Sequence, residues 1–175
     1  TYSFQKYILH LTNGRFNPSY LYKNWDLKKD TIDVNQTIAL LLKTDSVAYK
    51  IEQLKPNHLV YKRLKKALQI INSYPNDDFA AIQIANKIVL NDTNPSVIDI
   101  KKRLIYWKDM KSKDSLSSIY DSETNEAMKK FQMRHGLAAD GIIGKGTIDA
   151  LNFSKRKRKE QILANLERWK WFPKD

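Results

Sequence analysis

Four of the five glycines in this 175-residue chain, Gly136, Gly141, Gly144 and Gly146, fall within eleven consecutive positions. Glycine takes left-handed backbone without steric cost, so the cluster marks one place where the chain must turn sharply. It ends in Gly144-Lys145-Gly146-Thr147 and runs into an apolar helical pattern. Two readings compete: a loop that cradles phosphate, and a tight turn between helices. A phosphate loop needs Gly, four residues, then Gly-Lys-Ser/Thr, because backbone N–H groups wrap the phosphates and the hydroxyl binds magnesium. Aligned on Gly144-Lys145, Ala139 stands at the first glycine and Gly146 at the hydroxyl. The preceding segment also reads as a helix rather than a buried strand, which removes the nucleotide reading. As a turn, Asp140-Gly141 supplies an acceptor and a residue free to take positive φ, and Gly144 and Gly146 permit a second bend. On this reading Thr147 caps the next helix, and Ile142 and Ile143 anchor the turn by burial.

Helical spacing dominates elsewhere. Val60, Leu64, Ala67, Leu68 and Ile71 share a face after a candidate cap at Asn57, with Lys62, Lys65 and Lys66 opposite. Asn17-Pro18 reads as a cap followed by a first-turn proline, and Asp33 precedes Val34, Ile38, Leu41 and Leu42 at helical period. Tyrosines 2, 7, 20, 22, 49, 61 and 74 are assigned to core or core edge rather than to an aromatic binding surface. The polar stretch 91–94 is the best boundary, with Asn94 capping, Pro95 in the first turn, and Val97, Ile100 or Lys101, and Leu104 facing inward. Asp109 to Ser118 reads as a polar connection. Asp121-Ser122 caps a helix to about His135, with Gly136 at its left-handed stop. A last helix capped by Ser154 carries Ile162, Leu163, Leu166 and Trp169 and ends near Pro173. The expected fold is mainly α, with one short hairpin around Ala138 to Ile143.

Composition narrows the chemistry. There is no cysteine, which excludes disulfides, thiolate metal sites and a Cys nucleophile in these residues. No apolar run approaches the ~18 residues of a membrane span, so any membrane anchor or export signal is expected outside this sequence, which reads as an excised piece. The formal charge of +12 favours acidic partners. The run Ser154-Lys155-Arg156-Lys157-Arg158-Lys159 could read as a nucleic-acid patch, but at about 100° per residue its cations point all round a helix. Nucleic-acid binding is therefore not expected. First-turn cations oppose the helix dipole, which implies a later helix start or acidic partners on the scaffold, with external carboxylates or lipid phosphates as further candidates. Asp121, Glu123 and Glu126 could form a general acid/base pair, yet carboxylates in a first helical turn are favoured by the dipole anyway. His135 suits a helix C-terminus better than a metal site, since no second ligand stands at a useful spacing.

Ala127, Phe131-Gln132, Gly136-Leu137, Asp140-Gly141, Gly144, Thr147 and Ala150-Leu151 stand at the spacings of the peptidoglycan-binding module of cell-wall enzymes, which this segment resembles. Met128 in place of the usual Val is the one departure among these positions, a volume-tolerant swap. Arg158-x-x-Gln161-Ile162-x-x-Asn165-Leu166-Glu167-Arg168-x-x-Trp171-x-Pro173 resembles the segment after that module in large bacterial L,D-transpeptidases, with Lys170 where Arg is frequent. Leu54-x-Pro56 and Tyr61-x-x-Leu64-x-x-Ala67-Leu68 look like the helical scaffold that precedes it. The resemblance is strong from 95 to 173 and weak before. It implies a scaffold domain over 1–93, a three-helix peptidoglycan-binding bundle over 94–153, and a connecting helix over 154–175 that packs on the scaffold and leads to a separate Cys catalytic domain. The expected chain is non-catalytic, needs no cofactor or metal, and docks a periplasmic, envelope-bound enzyme on peptidoglycan. Tyr106, Arg134, Asp140 and Lys145 are its candidate contacts, and Phe131, Leu137, Ile142 and Leu151 its core. The competing expectation is a structural scaffold without wall binding, its interface made by Trp169, Trp171 and Phe172.

Overall fold

The computed structural model describes residues 2–27 and 31–173 and, among them, eight α-helices and no β-strand. By contacts the chain divides into two compact units, residues 1–75 with 155–175, and residues 76–154.

The first unit contains α1 (Tyr2–Asn13), a 3-10 turn (Pro18–Tyr20), α2 (Val34–Leu42), α3 (Val47–Gln53), α4 (Leu59–Ser73) and α8 (Lys155–Arg168). Local chemistry starts two of these elements: Asn17 accepts the Ser19 N–H at 3.2 Å, and Asp33 accepts that of Gln36 at 2.9 Å. α4 ends at Ser73 because Tyr74 precedes Pro75 and is held extended, at φ −72° and ψ 146°. Packing of α4 against α8 is the main helix pairing of the unit, with Tyr61, Ile71 and Leu166 buried. Each such side chain contributes roughly 1.5–3 kcal/mol by burial. Beyond α8 an aromatic cluster forms, in which Trp25 meets Trp171 edge-on at 6.0 Å and Phe172 at 5.5 Å.

The second unit is built on α5 (Ser96–Tyr106), α6 (Ser122–Arg134) and α7 (Lys145–Leu151). Asp121 Oδ1 accepts the Thr124 N–H at 2.8 Å, starting α6, whereas Pro95 rather than Asn94 stands at the N-cap of α5, and Asn94 Oδ1 accepts the Ser96 N–H from one residue further out. α6 stops where Gly136 takes φ +67°, with the Leu137 N–H bonded to the Gln132 carbonyl and the Gly136 N–H to that of Met133. That is the paired bonding of a glycine-terminated helix. Val97, Ile100, Leu104, Tyr120, Met128, Phe131, Ile143 and Leu151 form the core.

Several expectations need correction. No hairpin forms around Ala138 to Ile143; Ile143 instead makes an isolated antiparallel bridge with Ile88, and Thr93 makes another with Ile119. Register in this turn is thus set by a distant segment rather than by its own ends. Ile143 is buried but Ile142 is exposed, because adjacent residues in extended backbone face opposite ways. Gly144, not Thr147, occupies the N-cap of α7, and Thr147 turns inward within the helix. His58 rather than Asn57 precedes α4, and Val60 is exposed while Tyr61 takes the core position. Tyr2, Tyr7, Tyr20, Tyr22 and Tyr49 are exposed, so of the seven tyrosines assigned to the core or its edge only Tyr61 and half-buried Tyr74 keep that place. Leu42 and Leu163 are exposed as well. Trp171 is only 3% accessible, inside the first unit's own aromatic cluster rather than at an open interface. α8 begins at Lys155, directly after Ser154, so no later start relieves its cations. Arg156 instead pairs with Glu160 at 3.1 Å, and Lys155 donates to the Tyr74 carbonyl.

Candidate functional site

The glycine turn is organised by Gln132, whose amide is buried to 1% accessibility on α6. Its Oε1 accepts the Gly141 N–H at 2.9 Å, while its Nε2 donates to the Ile142 carbonyl at 3.0 Å and to Asp140 Oδ1 at 3.2 Å. The Tyr120 hydroxyl donates to the Gly141 carbonyl at 2.6 Å. Burial, then the nearby carboxylates, push that phenol far above its ordinary pKa, so it stays a donor. A turn whose backbone groups are bonded on both sides is a rigid mount for α7. Gly141 has φ +76°, and a Cβ there would collide with the Asn125 side chain.

Facing α7 is a non-helical segment, residues 79–88, pinned at three points. Arg103, buried on α5, donates to the Ala80 carbonyl and lies 5.1 Å over the Phe79 ring. Asn152 holds Ile82 by both backbone groups, accepting its N–H and donating to its carbonyl, each at 2.9 Å. Ile88 exchanges two backbone hydrogen bonds with Ile143, at 3.1 and 3.0 Å. Between the segment and α7 runs an open groove of ≈ 690 Å³, lined among others by Ile84, Asn86, Lys87, Lys145, Ile148 and Asp149. Lys87 and Lys145 have no ion-pair partner among the described residues. The backbone groups of residues 84–87 likewise find no internal hydrogen bond among them. The groove therefore presents cations, an Asp149 carboxylate, amides and open backbone groups over an apolar floor, the usual makeup of a site for a polar chain.

The four candidate contacts do not converge on one point. Lys145 lines the groove. Arg134 pairs with Asp109. Asp140 Oδ1 accepts the Ile142 N–H at 2.9 Å in addition to the Gln132 amide, closing its own turn. The Tyr106 ring meets Phe79 and Trp107 edge-on, at centroid distances of 5.3 and 4.7 Å. The acidic trio is likewise engaged: Asp121 caps α6 and pairs with buried Lys101 at 2.9 Å, Glu123 pairs with Lys113 at 2.5 Å, and Glu126 with Lys129 at 2.9 Å. Burial raises the Asp121 pKa, but the Thr124 hydroxyl, Lys101 and the Thr124 N–H outweigh it and hold it at about 2.

Residues 93–151 match the family model of the peptidoglycan binding domain. Residues 93–151 are thus similar to a peptidoglycan-binding domain. Residues 1–68 match the model of a scaffold domain. No curated protein matches the chain in sequence. The matched peptidoglycan-binding domain spans α5, α6 and α7, together with the Gln132-centred turn. With no cysteine, the chain offers a binding domain rather than thiol catalysis.

Sequence reasoning missed the groove's outer wall. Residues 79–88 carry no periodic pattern, and their place beside α7 depends on Arg103 and Asn152, two polar residues whose partners lie 23 and 70 residues away. One signal was present: Arg103 falls beside Val97, Ile100 and Leu104 on the inner side of α5, where a long cation needs a carbonyl partner.

Proposed function

We propose that the chain is the non-catalytic wall-docking and scaffold region of an L,D-transpeptidase-like enzyme of the bacterial envelope, and that the groove beside α7 takes a stem-peptide segment of peptidoglycan. The observation that carries this reading is the match of residues 93–151 to the peptidoglycan binding domain. The groove adds a chemical rationale. Stem peptides carry carboxylates and, in many forms, a free amine, which Lys87, Lys145 and Asp149 complement. Their backbone can pair with the open groups of residues 84–87, as a peptide pairs with a sheet edge. Of the four candidate contacts, Lys145 is the one assigned to the ligand; Arg134, Asp140 and Tyr106 serve the domain's own packing. Weak, reversible docking suffices, because tethering to a catalytic domain in the periplasm raises the effective concentration of wall substrate.

Sedimentation with purified, protein-free peptidoglycan at physiological salt tests the reading. The chain is expected to leave the supernatant, and the double change Lys87→Glu with Lys145→Glu is expected to weaken that depletion by about tenfold, the scale of two exposed charge contacts. Full recovery of the unmodified chain in the supernatant would instead support the structural-scaffold reading.

A further inference from the structure

The net charge of the protein is carried entirely by one of its two units. Residues 76–154 hold 11 lysines and arginines against 11 aspartates and glutamates, a formal charge of zero. Residues 1–75 with 155–175 hold 20 against 8, which accounts for the whole +12. The peptidoglycan-binding domain lies within the neutral unit, so wall docking does not explain the excess.

Within the cationic unit, α4 concentrates the excess on one face. It contains Lys62, Arg63, Lys65 and Lys66 and no acidic residue. Lys65 pairs with Glu52, while Lys62, Arg63 and Lys66 have no ion-pair partner among the described residues. Leu59, Arg63, Lys66 and Ile70 follow one another at spacings of four, three and four residues, forming a single stripe opposite the side that carries buried Tyr61 and Ile71 and half-buried Leu64 and Leu68. The stripe is apolar at both ends: Leu59 is 61% exposed and Ile70 51%. It runs about 16 Å along the helix.

We propose that this face of α4 lies on an anionic phospholipid bilayer, with Lys62, Arg63 and Lys66 at the headgroup phosphates and Leu59 and Ile70 entering the acyl boundary. Charge complementarity selects an anionic surface, and the exposed aliphatics select lipid over a soluble polyanion, which gains nothing from them. No helix among the described residues is long and apolar enough to cross a membrane, so this contact lies on the surface rather than spanning it. The α4 face belongs to one unit and the groove beside α7 to the other, so the two contacts use separate sets of residues and address different envelope components.

Flotation of the full chain with vesicles tests the proposal. The chain is expected to float with phosphatidylglycerol-containing vesicles and not with pure phosphatidylcholine. Changing Lys62, Arg63 and Lys66 together to Gln is expected to lower partitioning on the order of 100-fold, since each cation near an anionic leaflet counts for roughly fivefold. Leu59→Ser with Ile70→Ser, which leaves every charge in place, is expected to lower it at least tenfold while pelleting with peptidoglycan stays unchanged. All five positions are exposed, so each variant is expected to keep the helical circular dichroism of the unmodified chain. Failure to float with anionic vesicles overturns the proposal. So does full retention by the Leu59/Ile70 variant, which would assign the face to a polyanion such as a wall phosphate polymer, or by the triple Gln variant, which would place the cationic contact elsewhere.

Discussion

Gly136 and Gly141 look alike in sequence and differ in what surrounds them. Both have positive φ, but a Cβ at Gly136 meets nothing within 4 Å, whereas at Gly141 it would overlap the Asn125 side chain. Gly136→Ala should therefore cost only the left-handed penalty, about 1–2 kcal/mol. Gly141→Ala adds displacement of Asn125 and of the bonds from Gln132 and Tyr120, and should cost at least about 1–3 kcal/mol more, measured by denaturant unfolding. Asp121 makes a second test. Its folded pKa of about 2 lies below the ordinary 3.8, so the unfolded chain binds the proton more readily. The stability it contributes is present above pH 3.8 and is lost as pH falls toward 2. Asp121→Asn keeps a capping side chain but removes the charge beside Lys101. It should flatten the unfolding free energy over that window and lower it near neutral pH by about 1–3 kcal/mol.

At the level of elements, the groove exists because a segment without regular structure is bolted to helices. Residues 79–88 are held through Arg103 on α5, Asn152 at the end of α7, and Ile143 in the glycine turn. Asn152→Ala removes both bonds to the Ile82 backbone and leaves a buried residue's N–H and carbonyl unpaired, at a cost of about 1–3 kcal/mol. Hydrogen exchange should speed up at Ile82 and its neighbours while α6 amides keep their protection. Equal acceleration throughout α6 would mean that the segment is part of the core rather than a separately pinned wall. Peptidoglycan pelleting should weaken in the same variant if the groove is the docking site.

Across the whole molecule, charge and the proposed groove sit on different units, +12 on one and zero on the other. A salt series should therefore split the adherence to peptidoglycan in two. The part due to the cationic unit should fade as salt shortens the screening length from about 10 Å at 0.1 M to about 3 Å at 1 M. The part due to the groove, which also rests on backbone pairing and apolar contact, should fade less steeply and should be the part that Lys145→Glu reduces. Adherence that Lys145→Glu leaves unchanged at every salt concentration would leave nonspecific charge as its sole source. The helical class, the starts at Asn17, Asp33 and Asp121, and the stop at Gly136 were legible from sequence alone. Each is settled within a few residues, by a side chain bonding a nearby N–H or by the one residue that tolerates positive φ. The absence of thiol chemistry and the peptidoglycan-binding pattern were legible for a similar reason, since both rest on residue identity and spacing. What the tertiary structure decided is whatever depends on distant partners: that Ile143 pairs with Ile88, that Gln132 holds the turn, that Trp171 is enclosed, that five of the tyrosines stay outside, and that residues 79–88 wall a groove. Burial and long-range hydrogen bonds are properties of what the folded chain brings alongside, and periodicity along one helix reports only which face is apolar, not whether another element arrives to cover it.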